Sequence, residues 1–177
     1  MLGQTITRRL MVVPLANNDH GKTTMIRSLV RQGERRDLSK VKRSQRWLTS
    51  PWGRSIDALI FPRSYQETLE NEFGSVSKAL SGVDGSWIER DLIILPSHLV
   101  PTDCAEMIKL AHGAGFDAIA VPILLQPSDL QKYQDCLALP WNERWTLSND
   151  SISEPSGQIE ALGHDLWAWV AAALDRR

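Results

Sequence analysis

Between Ala16 and Thr24 the chain reads Ala-Asn-Asn-Asp-His-Gly-Lys-Thr-Thr, a small polar loop closing on a glycine, a lysine and two hydroxyls. Residues of these types at this spacing can hold a polyphosphate. Such an anion needs several backbone N–H donors converging on one point, and a tight loop feeding a helix supplies them with the positive end of the helix dipole. Gly21 lets the backbone come close, Lys22 reaches the β- and γ-phosphates as a point charge, and the Thr23 hydroxyl can ligand a bridging Mg²⁺. Thr24 packs or touches an α-phosphate, and Asn17, Asn18, Asp19 and His20 complete the loop.

Three more residues are candidates for chemistry at the terminal phosphate: Ser64, Glu67 and His98. Each follows an apolar run expected to be a strand, and ligands of open α/β sheets bind outside the carboxyl ends of strands. Arg63, Ser64, Gln66 and Glu67 can there position phosphate, magnesium or an attacking water. A local explanation competes, because Ser64 as a helix N-cap with Glu67 three positions on makes a capping box. His98 is either a sensor of the γ-phosphate or a hydrogen-bonded loop histidine.

The elements around the loop are those it needs. Leu10, Met11, Val12, Val13 and Leu15 form a short apolar strand, and Met25, Ile26, Leu29 and Val30 mark the buried side of a helix that Gly33 ends. Strand, loop and helix in this order resemble the Walker A motif of P-loop NTPases, G-x-x-x-x-G-K-[ST], with Ala16 at the first glycine. Alanine there requires ordinary backbone angles. The resemblance implies a three-layer α/β P-loop NTPase-like domain with a predominantly parallel sheet of about five strands.

Two strand-like runs, residues 44–50 and 55–61, flank Pro51-Trp52-Gly53-Arg54 and predict a β-hairpin. This order is similar to that of the small GTPase branch. Where that branch carries Asp-x-x-Gly, however, this chain has Pro62-Arg63-Ser64-Tyr65-Gln66-Glu67. Residues 64–80 predict one helix. The run Leu92-Ile93-Ile94-Leu95 suits a central parallel strand, and Pro96-Ser97-His98 stands where a Walker B acid would follow. Together with Val100-Pro101-Thr102-Asp103 it is similar to a strand and helix start of ParA/MinD-type ATPases. Thr102 or Asp103 caps a helix running to His112, and residues 116–125 give the next strand. Gln126-Pro127-Ser128-Asp129 follows where a GTPase has Asn-Lys-x-Asp, which makes adenine the better base. Residues 129–139 and 158–174 predict helices, and residues 145–147 an edge strand.

At 177 residues the chain fits one domain with a substantial core. Twenty basic residues against 21 acidic ones leave a formal charge of −1, which implies no wholesale binding to nucleic acid or an acidic membrane. Basic side chains nevertheless crowd residues 27–46, as a solvated connector or as arginines acting on the γ-phosphate or an anionic partner. Cys104 and Cys136 lack zinc-ligand spacing, no apolar run approaches a membrane span, and no signal-peptide pattern opens the chain. A reducing, cytoplasmic setting is the expectation. Trp141, Trp145, Trp167 and Trp169 crowd the last third, where they pack a terminal helix or, if exposed, mark a protein interface.

These features predict a Mg²⁺-dependent ATP-binding protein, either a slow ATPase or a nucleotide-controlled switch. Two alternatives stand beside it. One is a small kinase moving the γ-phosphate to a nucleoside, a nucleic-acid end or a metabolite; the other is a non-catalytic interaction module retaining the loop.

Overall fold

Apolar runs with few polar interruptions make strands buried on both faces, and here they form the middle of a sheet. The computed structural model describes residues 7–17, 21–124, 129–148 and 155–175. The elements are β1 (Leu10–Leu15), α1 (Lys22–Glu34), β2 (Ser44–Thr49), β3 (Ser55–Ile60), α2 (Tyr65–Thr68), α3 (Glu70–Phe73), α4 (Val76–Val83), a 3-10 turn (Trp87–Glu89), β4 (Leu92–Ile94), α5 (Pro101–Gly113), β5 (Asp117–Leu124), α6 (Leu130–Leu137), β6 (Glu143–Arg144), β7 (Leu147–Ser148) and α7 (Pro155–Asp175). Six strands lie in the order β2-β3-β4-β1-β5-β6, all pairs parallel except the β2–β3 hairpin. The expected five become six because the chain after α6 returns to pair Glu143 and Arg144 with Ile119 and Ala120. The two-residue β7 then pairs Ile123 and Leu124.

Alternation along the strands feeds two cores, one on each face. Leu10 and Val12 of β1 join Met25, Ile26, Leu29 and Val30 of α1 and Leu166, Trp167 and Val170 of α7. Met11 and Val13 join Val76 and Leu80 of α4, Cys104, Met107 and Ile108 of α5 and Tyr133 of α6. Each fully buried aliphatic side chain contributes about 1.5–3 kcal/mol, so both helical layers are held chiefly by this packing. α7 comes close to α1 because Gly163 has no side chain: a Cβ there would lie 2.7 Å from the Ser28 Cβ. The Ser28 hydroxyl uses the closeness, donating to the Glu160 carbonyl at 2.6 Å.

Several local expectations are corrected. Residues 64–80 form three short helices rather than one: α2 gives way to α3 at Leu69, then Gly74 turns left-handed (φ 74°) after α3 and Ser75 starts α4 by accepting the Lys78 N–H at 3.3 Å. The capping box is also absent. The Glu67 N–H goes to the Ser64 carbonyl at 3.0 Å, while the Ser64 hydroxyl makes no capping bond. At the start of α5, Val100 is the N-cap and Pro101 the first helical residue, so Thr102 and Asp103 lie inside the first turn. α1 runs one residue past Gly33 and closes on Arg35 in a left-handed conformation. Trp141 and Trp167 are buried and Trp145 stacks on Trp169, whereas Trp47 and Trp52 of the hairpin are 61% and 62% exposed. Among the described residues no helix is long and apolar enough to cross a membrane.

Candidate functional site

β1 and β4 are parallel neighbours whose following helices lie on opposite faces of the sheet. Where adjacent strands send their chains apart, a crevice opens outside their carboxyl ends. The Ala16 N–H donates to the Ser97 carbonyl at 3.3 Å and the Ser97 N–H to the Pro14 carbonyl at 2.9 Å, which ties the end of β4 to the start of the loop. Ala16 keeps ordinary backbone angles, since Arg35 is the only non-glycine at positive φ among the described residues. Asn17 reaches across, its Nδ2 donating to Asp129 Oδ2 at 2.9 Å. Asn18, Asp19 and His20 lie outside the described residues, as do Gln126, Pro127 and Ser128.

Gly21 is the N-cap of α1 with φ 91°, a conformation costly for any residue with a Cβ, and its carbonyl accepts the Met25 N–H at 2.9 Å. Lys22 follows as the first helical residue and is only 5% exposed. Its Nζ donates to the Asn17 carbonyl at 2.7 Å and to that of Ala16. A cation at the positive end of a helix is disfavoured, and withdrawing an ammonium from water adds to the cost. An anion at the same point reverses both terms. Thr23 is exposed on the first turn, its hydroxyl donating to the Pro62 carbonyl at 3.0 Å, and Thr24 is half-buried.

Beyond the ends of β3 and β4 the polar side chains form one network. Gln66 is its bracket: Nε2 donates to Ser97 Oγ at 2.9 Å and Asp103 Oδ2 at 2.7 Å, while Oε1 accepts the His98 N–H at 2.9 Å. Glu67 meets the His98 ring, Oε1 to Nε2, at 3.1 Å. Of the four residues predicted to act at the phosphate, Lys22, Ser64, Glu67 and His98, the last two are therefore in direct contact. Ser64 opens the same turn, fully buried, with a hydroxyl that has no hydrogen-bond partner. Burial pushes the Tyr65 phenol up, with the carboxylates of Asp103, Glu106 and Glu70 adding to it, so the ring beside this network stays neutral. Contact with the Cys136 sulfur and burial likewise hold the Cys104 thiol protonated.

Ser97, Asp103 and Asp129 are members of the site that sequence reasoning did not single out. Ser97 and Asp129 follow the carboxyl ends of β4 and β5, where ligands of open sheets bind, whereas Asp103 is brought in by the first turn of α5. Most arginines of the basic segment are turned away from the loop. Arg27 and Arg31 face Glu160 of α7, and Arg36 and Arg46 share Glu34. Arg43 pairs with Glu72 at 3.2 Å beside Pro62. Among the described residues no group of three or more His, Cys, Asp or Glu side chains could hold a metal by protein ligands alone. No protein-family model matches the chain, and no curated protein matches it.

Proposed function

We propose that the chain binds Mg·ATP at the connection between β1 and α1 and works as a slow ATPase or nucleotide-controlled switch of the P-loop NTPase kind. The observation that carries this reading is the nearly buried Lys22 ammonium at the first residue of α1, in the crevice beside β4. There the backbone N–H groups of the first turn, the helix dipole and a fixed cation all favour one polyphosphate. Mg²⁺ suits such a site without a cluster of acids, because it keeps several waters and takes phosphate oxygens. Thr23, exposed on that turn, is the residue to hold it; the ion would offset the charge of the bridging phosphates. Glu67 and His98 are the pair to orient a water near the terminal phosphate, and hydrolysis is slow because Pro96-Ser97-His98 supplies no carboxylate directly after β4.

The test is a calorimetric titration of the full chain with Mg·ATP. Hydrogen bonds to charged groups are worth about 1.5–3 kcal/mol, so Lys22→Ala should weaken binding by roughly 10- to 100-fold. Unchanged affinity would overturn the reading. A second reading, a small kinase, draws support from the cleft lined by Pro62 and Arg63. Labelled ATP separates the two by whether phosphate appears on water or on an added acceptor.

A further inference from the structure

A cleft of about 320 Å³ opens against the segment that holds Thr23, lined by Arg43, Phe61, Pro62, Arg63, Thr68 and Glu72. Its volume is at the low end for small-molecule sites. Two guanidiniums face one carboxylate, a formal surplus of one positive charge. Arg63 is exposed and makes no hydrogen bond or ion pair among the described residues. Among the described residues Arg43 is held only across the surface by Glu72, at 3.2 Å with both side chains more than a third exposed, and such pairs yield readily to a competing anion. Pro62, half-buried, supplies the apolar part of the wall with the buried Phe61 packed behind it, and Thr68 supplies a hydroxyl.

We propose that this cleft is a second-ligand site for a small organic acid, a carboxylate or phosphate monoester with a compact apolar body. The planar fork of Arg63 takes the acid group, as guanidinium does for either anion, and Arg43 joins it on leaving Glu72. Pro62 faces the body, backed by the buried Phe61, and the Thr68 hydroxyl adds a directional contact. A solvated arginine would equally be exposed and unpaired, but it would not line a concave, partly apolar wall. The cleft's role as the acceptor side of the nucleotide site rests on the function proposed above; its capacity to bind the acid does not.

Benzoate, phenyl phosphate and benzyl alcohol are the probes, titrated into the full chain by ligand-observed NMR. Either anion should bind while the neutral alcohol does not, and Arg63→Ala should weaken that binding at least tenfold. Benzoate alone identifies a carboxylate site, phenyl phosphate alone a phosphate ester; both outcomes support the assignment. It is overturned if neither anion binds, if benzyl alcohol binds as well as they do, or if Arg63→Ala leaves their binding unchanged. Loss in Lys22→Ala with none in Arg63→Ala also overturns it, because the anions would then sit in the loop. A parallel titration with Mg·ATP keeps the two readings apart: anion binding without ATP binding would sink the nucleotide reading and leave the cleft.

Discussion

The two ends of the sheet handle charge in opposite ways. At the amino ends of the strands, arginines meet carboxylates and carbonyls and close the structure. Arg8 bonds Asp117 and Glu143; Arg9 bonds the carbonyls of Ile88 and Ala114 while lying 4.5 Å from the centre of the Phe116 ring; Arg90 joins Asp57 and Asp84. At the carboxyl ends, a nearly buried ammonium lies on loop carbonyls, a glycine holds a left-handed turn and a buried serine hydroxyl has no partner. One end lowers the free energy of the fold with completed ion pairs. The other accepts local cost, which under the proposed function a bound nucleotide repays.

The largest effect on stability is expected where the comparison is most one-sided, at Arg90. Its Nε donates to Asp84 Oδ2 at 2.7 Å and its Nη1 to Asp57 Oδ2 at 2.7 Å, and all three side chains are less than a fifth exposed. Breaking a buried pair leaves an uncompensated charge, so Arg90→Ala should cost about 3 kcal/mol by urea denaturation at pH 7. The hydrogen bond from Arg90 holds the Asp84 carboxyl below its ordinary value of 3.8, against a smaller opposing push from burial. A lowered carboxyl adds stability that is present above that value and lost as pH falls through the folded one. The gap between parent and Arg90→Ala should therefore narrow below about pH 3.8. A gap constant down to pH 2 would place the stabilisation in packing, and the amino end would no longer stand as the charge-closed one.

Much of this division was legible in the residues. The strand Leu10–Leu15 and the helix Lys22–Glu34 are each encoded by their own neighbours, and so is the hairpin around Pro51 to Arg54. The network at the far end was not legible, because it is made at long range: Gln66 meets Ser97 and Asp103, more than thirty positions away, only after β3 and β4 pair. The break between α3 and α4 was visible in Gly74-Ser75, a helix stop and an N-cap side by side, but the apolar spacing across it masked the signal; the break at Leu69 carries no such residue. The amino-end arginines show why charge counts alone mislead. A net charge of −1 says nothing about arginines individually committed to structure.

A smaller effect on the fold is expected at Gly21. A Cβ there would drive into the Ile159 side chain, which can swing, and would hold a left-handed backbone at φ 91°, which cannot be relieved locally. The conformational term alone is about 1–2 kcal/mol. Gly21→Ala should lower the urea midpoint accordingly and, unlike Arg90→Ala, should also weaken Mg·ATP binding, since the first turn of α1 must shift. Equal loss of ligand affinity in both variants would break the comparison, because it would make the two ends one cooperative unit.

The smallest change is expected at Ser64, and its sign is what matters. A buried hydroxyl left without a partner carries a desolvation cost of about 1–3 kcal/mol that folding does not recover. Ser64→Ala removes the cost and leaves a gap of one oxygen, so the variant should be as stable as the parent or more stable by up to about 1 kcal/mol. Every polar truncation at the amino end should instead lower stability. If the hydroxyl is kept for a ligand, the stabilisation that saturating Mg·ATP adds should be smaller in Ser64→Ala than in the parent, read as the difference between urea midpoints with and without nucleotide. A variant that loses 1 kcal/mol or more without ligand would show that the hydroxyl is satisfied within the fold, and Ser64 would then belong with the completed pairs of the opposite end.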